Sequence, residues 1–174
     1  MPRFSSFKLA VCAALVSLAS PGVSLASGPS PVELTQITHR PASLTLVMPG
    51  GEQVEYTPAA LEQLNTYEMT TRTPWRDDEA VFQGVLLRDL LERHGMADVK
   101  AIRVRAENDF TITMDRAVWE GESFLIATRV DGRPHSRRER GPIQFVLDWD
   151  AYRNSDVADE NHLVWMAAEI TVVE

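Results

Sequence analysis

From Leu44 onward the first pattern in the chain is alternation. Leu44, Leu46 and Met48 are apolar at every second position, Gly50 and Gly51 supply a turn, and Val54 and Tyr56 alternate again, which predicts a β-hairpin. Thr57 followed by Pro58 has the chemistry of a helix cap and first helical residue, so a short helix is expected through Leu64. A polar, β-rich stretch from Tyr67 to Thr73 runs into Pro74 and Trp75. The spacing then changes: Leu86, Leu87, Leu90 and Leu91 form an i, i+3, i+4 stripe, and Gly95 stops it, which predicts a core helix.

Beyond Ala101 the pattern returns to strands. Ile102 and Val104, Phe110 to Met114, and Phe124 to Val130 are predicted strands, the last ending at the turn Asp131-Gly132, with one helical turn over Asp115 to Trp119. Ile143 to Leu147 is a short apolar run after Gly141 and Pro142, Asp148 to Glu160 reads as an acidic loop, and Ile170 to Val173 closes the chain. Many strands with few helices predict an α+β or mostly β domain.

The first residues have a different character. Arg3 and Lys8 precede an apolar stretch from Leu9 to Leu18 that is too short for a stable membrane anchor, and Ser24 and Ala26 offer small residues at signal-peptidase spacing. Residues 1–26 are therefore expected to be a signal peptide cleaved after Ala26, with lipoprotein processing at Cys12 the weaker alternative. Residues 27–43 follow as a leader, without structure until Leu34, and residues 44–174 form one domain.

Cleavage would remove Arg3 and Lys8 and take the net charge of −8 further negative, which argues against nucleic acid and anionic lipid as partners. It would also remove the sole cysteine, so no disulfide is expected, and no further segment is apolar enough to span a membrane.

Several kinds of chemistry find no support. His39, His94, His135 and His162 are scattered without metal-ligand spacing. The carboxylates Asp148, Asp150, Asp156, Asp159 and Glu160 lack the register of a calcium loop, and no Gly-x-Ser-x-Gly elbow occurs. Two segments stand out instead. Arg133 to Arg140 concentrates arginines in an acidic chain, either as a solvated hairpin end or as a site for a phosphate or a partner's carboxylates. Glu107-Asn108-Asp109-Phe110 lies between two apolar strands, either as a plain strand connection or as a site, with the carboxylate, amide and ring that the edge of a pterin or purine would need.

The series Thr73-Pro74-Trp75, Gly84 to Leu91, Ala106 to Phe110, Ala127 to Gly132, Gly141-Pro142-Ile143 and Val164-Trp165 is similar to the oxidoreductase molybdopterin-binding domains. The resemblance covers about residues 44–173 and implies the sulfite-oxidase fold, an α+β domain with mixed sheets around a pterin cleft. Catalytic members ligate molybdenum through a cysteine upstream of the element resembling Trp75 to Leu91. Here that stretch reads Tyr67-Glu68-Met69-Thr70-Thr71-Arg72-Thr73, with no thiol.

The export signal also lacks the twin arginines used by proteins that leave the cytoplasm folded with their cofactor. Together these features imply no catalytic cofactor and no molybdenum. They favour a free pterin taken up after export. The resemblance to a subgroup of small stand-alone members of this family implies a periplasmic receptor for a pterin of the tetrahydropterin type, which contacts the periplasmic domain of a membrane enzyme controlling cyclic-di-GMP. A molybdopterin-dependent oxidoreductase and a degenerate protein-interaction domain are the alternatives.

On this resemblance Asp109 is the first candidate, and Glu107 the second, to accept the paired hydrogen bonds of the amino-pyrimidinone edge, with Asn108 beside them. Trp75 and Phe110 would face the ring, Arg129 or Arg140 would lie beside its carbonyl, and Tyr152 would close the cleft. Trp165 is expected as a core or rim residue.

Overall fold

The computed structural model describes residues 28–173. The expected signal peptide, residues 1–26, lies outside them. The described residues fold as an α+β domain of two sheets and four short helices.

The predicted hairpin forms β2 (Leu44–Val47) and β3 (Gln53–Tyr56), paired in antiparallel register with Leu46 opposite Val54. Thr57 caps α1 (Pro58–Leu61), its side chain accepting from the Ala60 amide, so the helix starts where expected and stops three residues sooner. β4 (Tyr67–Thr71) leads through Trp75 to β5 (Ala80–Leu86), which passes directly into α2 (Leu87–Arg93). β6 (Ala101–Ala106), β7 (Thr111–Asp115), α3 (Arg116–Gly121) and β8 (Leu125–Val130) match the predicted order.

After β8 come a two-residue strand β9 (Arg133–Pro134), a 3-10 turn over Arg137–Glu139, β10 (Gln144–Val146), α4 (Trp149–Asn154), a second 3-10 turn over Glu160–His162, and β11 (Ala167–Val173).

Two of these elements correct the expectation. The acidic segment after Leu147 is not a plain loop, because Asp148 accepts from the amides of Asp150 and Ala151 and so caps α4. Residues 28–43 also carry structure earlier than expected: β1 (Ser30–Pro31) pairs with β4, and the Val32 amide donates to the Thr66 carbonyl at 2.9 Å.

One sheet runs β1-β4-β5-β8-β10, antiparallel throughout, with β9 attached to β8; the other runs β3-β2-β11-β6-β7, with β2 and β11 parallel. The main core gathers residues of both sheets and of α2, among them Leu46, Leu90, Ile102, Ile126, Phe145 and Ile170. Strand alternation turns the other side chains of the first sheet into a smaller cluster, with Phe82, Leu125, Ala127 and Val146. β8 is accordingly buried at every position. That double burial makes the first sheet a rigid base for the loops leaving its strands.

Candidate functional site

Four segments converge beyond the ends of these strands. The first is the turn Thr73-Pro74-Trp75-Arg76 after β4. The second is the turn between β6 and β7, closed by hydrogen bonds from the Ala106 amide to the Phe110 carbonyl at 2.9 Å and from the Asp109 amide to the Ala106 carbonyl at 3.1 Å. The third is the arginine-rich turn ending at Arg140, and the fourth is the stretch from Glu160 to Met166.

Main-chain bonds tie the last three together. Met166 N donates to the Arg140 carbonyl at 3.2 Å, Glu107 N to the Met166 carbonyl at 2.8 Å, and Phe145 N to the Val164 carbonyl at 2.8 Å. Asp109, Arg140 and Met166, three of the four non-glycine residues with positive φ among those described, lie on these segments. Backbone in that region costs free energy, and such residues gather where a site needs them.

The side chains form a stack. The Arg140 guanidinium lies 4.4 Å from the ring centre of Trp75 and 5.0 Å from that of Trp165. Trp75, Arg140 and Trp165 are shared by two adjoining cavities. The larger, about 430 Å³, adds Thr73, Arg76, Arg137, Arg138 and Gln144. The smaller, about 250 Å³, adds Phe110, Glu160, Asn161, Leu163 and Val164. Hollows of about 580 Å³ beside residues 31–34 and about 740 Å³ beside α2 are larger, but neither is lined by a comparable stack of flat groups.

Of the expected site residues, Trp75, Arg140 and Phe110 meet here, with Phe110 39 % exposed at the mouth. Glu107 borders the site, its carboxylate paired with Arg137. Asn108 and Asp109 are exposed on the hairpin turn and line neither cavity; Asn108 Oδ1 accepts from the Phe110 amide at 3.3 Å.

Arg129 lies apart. It is 3 % exposed, its Nε and one terminal nitrogen are held by Glu62 and the Thr35 carbonyl, and it lines neither cavity. Tyr152 also lies apart, on α4, with its ring 5.5 Å from that of Trp149.

The carboxylate and amide expected from Glu107 to Asp109 are supplied in the smaller cavity by Glu160 and Asn161. Glu160 belongs to a segment that reads as a solvated acidic loop, and its place beside Trp165 depends on the 3-10 turn capped by Asp159 and His162. Gln144 gave a signal in retrospect, as a lone amide inside the apolar run Ile143 to Leu147.

Neither cavity has a sulfur ligand in its lining, and the only cysteine, Cys12, lies outside the described residues. This donor set does not fit a thiolate-held molybdenum. What the arrangement can do is hold a flat ring by its faces and a polar edge by a carboxylate, an amide and guanidinium groups. Comparison with protein-family models and with curated proteins returns no match for this chain.

Proposed function

We propose that the protein is a pterin-binding receptor of the sulfite-oxidase fold type, with its ligand in the cleft lined by Trp75, Arg140 and Trp165. The observation that carries this reading is the stack of Trp75, Arg140 and Trp165, three flat groups that line both adjoining cavities and offer π and guanidinium faces to a planar ring. In this reading Glu160, which lines the smaller cavity, accepts from the amino-pyrimidinone edge, and Phe110 covers the mouth. The absence of a thiol supports binding rather than redox catalysis at a metal. Export to the periplasm and signalling to the periplasmic domain of a membrane cyclic-di-GMP enzyme belong to the same proposal and rest on the export-type N-terminus and the family resemblance.

Titration with a panel of oxidised and reduced pterins, followed by calorimetry and quenching of tryptophan fluorescence, tests the reading. Saturable binding is expected. Stacking of a base-like ring on an aromatic side chain contributes about 1–3 kcal/mol, so Trp75→Ala is expected to weaken affinity about 5- to 150-fold. If no pterin in the panel binds the unaltered protein, the reading is wrong.

A further inference from the structure

Two buried polar side chains beside the cleft have hydrogen-bonding capacity left over. Gln144 is 2 % exposed and His135 5 % exposed, and His135 Nε2 lies 2.8 Å from Gln144 Oε1. The remaining polar atom of each side chain, His135 Nδ1 and Gln144 Nε2, has no partner among the described residues. Such groups are costly to leave unpaired, and they point to a ligand where they line a cavity. Gln144 lines the larger chamber of the cleft with Trp75, Arg140 and Trp165. His135 lines a separate hollow with Arg40, Arg137 and Arg138.

The pair can be assigned atom by atom. Burial pushes the His135 imidazole below its ordinary range, and the ring is neutral with one proton. One ring nitrogen then donates and the other accepts. Gln144 Oε1 can only accept, so the proton sits on Nε2 and Nδ1 is a bare lone pair. The hollow beside His135 is lined by three guanidinium groups, which favour a lone pair over a second N–H, with Glu139 the one carboxylate acting on the ring in the opposite sense and burial outweighing it.

The ring cannot readily turn to change this. Phe82 meets it edge-on at 6.2 Å, and the Gly141 backbone is so close that a Cβ there would lie 2.6 Å from the His135 ring. With its oxygen committed to His135, Gln144 has only its unpartnered amide N–H left to offer, and it is one of the residues that line the cleft.

We propose that Gln144, positioned by His135, is a specificity-determining donor that selects ring ligands bearing a carbonyl, the 4-oxo pteridines, over their 4-amino counterparts. The proposal rests on the pterin reading of the cleft and sharpens it to one edge of the ring. A 4-oxo ring satisfies the amide N–H. A 4-amino ring sets donor against donor and leaves the buried amide unpaired. His135 touches no ligand and acts through the orientation it imposes on Gln144.

The test compares a 4-oxo pteridine with its 2,4-diamino counterpart by calorimetry on the unaltered protein and on Gln144→Glu and His135→Phe. The unaltered protein is expected to favour the oxo ring about 10- to 100-fold, the factor set by one unpaired buried donor. Gln144→Glu, which offers only acceptors, is expected to reverse the preference. His135→Phe keeps an aromatic ring against Phe82 but frees the amide to turn, and the preference should fall to within a few-fold while the oxo ring still binds; a mere packing role for His135 would leave the ratio unchanged.

Equal affinities in the unaltered protein, or a ratio unmoved by Gln144→Glu, overturn the proposal and leave the pterin reading standing. Failure of both rings to bind overturns the pterin reading itself. Nitrogen-15 spectra of the histidine-labelled, ligand-free protein give a readout independent of any ligand: the Nε2–H tautomer is expected at His135, and the Nδ1–H tautomer would overturn the assignment of Gln144 as donor.

Discussion

Arg129 donates to both oxygens of Glu62, from Nε at 2.9 Å and from a terminal nitrogen at 2.6 Å, and reaches the Thr35 carbonyl at 2.8 Å. Thr128 adds a hydroxyl donor to Glu62 at 2.7 Å, and His39 Nε2 lies 3.0 Å from the same carboxylate. Both charged side chains are about 5 % exposed or less, so attraction within the pair is largely offset by the cost of taking it out of water. Breaking the pair is another matter. Arg129→Met strands a buried carboxylate and is expected to lower stability by about 3–5 kcal/mol in urea unfolding at neutral pH.

The sign of the pH dependence follows from Glu62. Burial raises its carboxyl, but hydrogen bonds from Arg129, Thr128 and His39 outweigh burial and hold it below the usual carboxylate range. Its stabilising contribution is therefore present above the unfolded value, near pH 4.3, and is lost as pH falls through the lower folded one. In Arg129→Met burial dominates and the carboxyl rises, so the stability gap between the two proteins should narrow as pH is lowered below about 4. A constant gap across that range would place the effect of Arg129 in packing rather than charge.

The same residue shows where the sequence was silent. Arg129 was expected beside a ring because it sits in a stretch resembling a pterin-binding family, yet β8 is buried on both faces, and alternation could not tell which cluster its side chain would join. Trp75 and Arg140 were legible as aromatic and basic candidates. Trp165 and Glu160 were not, since their positions depend on the turn from Glu160 to Met166 and not on any local pattern.

At the scale of elements, legibility followed periodicity. The hairpin of β2 and β3, helix α2 and strands β6 to β8 each repeat apolar residues at a clean interval, and each formed where that interval lies. β5 was missed because Gln83 and Gly84 interrupt its apolar residues. The interruption has a structural cause. Register against β8 shifts between Gln83 and Gly84, so that Gln83 faces Arg129 while Gly84 faces Ala127.

At that shift the two backbones come together, and a Cβ on Gly84 would lie 2.0 Å from the Ile126 carbonyl oxygen. No side chain fits without parting the strands. Gly84→Ala is expected to destabilise the protein by about 2–4 kcal/mol in thermal or urea unfolding, well beyond the usual effect of a glycine-to-alanine change in a strand. An unchanged midpoint would mean that β5 can shift away from β8 at little cost.

At the scale of the molecule, residues 28–43 work as a strap between the first sheet and the arginine-rich turn. Ser30 and Pro31 add to the edge at β4, and Thr66 returns a hydroxyl bond to the Val32 carbonyl at 2.5 Å. Thr35 and His39 then engage the buried Arg129 and Glu62, and Thr38 and Arg40 line the hollow that contains His135. Ordering such a segment costs chain entropy, so its contacts must exceed that cost for it to lie where it does.

A chain beginning at Leu44 keeps every strand of the mixed sheet but removes the Thr35 and His39 partners of a buried ion pair. The expected loss relative to a chain beginning at Gly28 is about 2–4 kcal/mol, the sum of a few buried hydrogen bonds after ordering is offset. It should appear in urea as a lower midpoint with a nearly unchanged slope, because most of the surface exposed on unfolding belongs to the two sheets. Equal midpoints would show that the strap rests on the domain without holding it; a lower midpoint would place the start of the cooperative unit at the strap, upstream of the first strand of the hairpin.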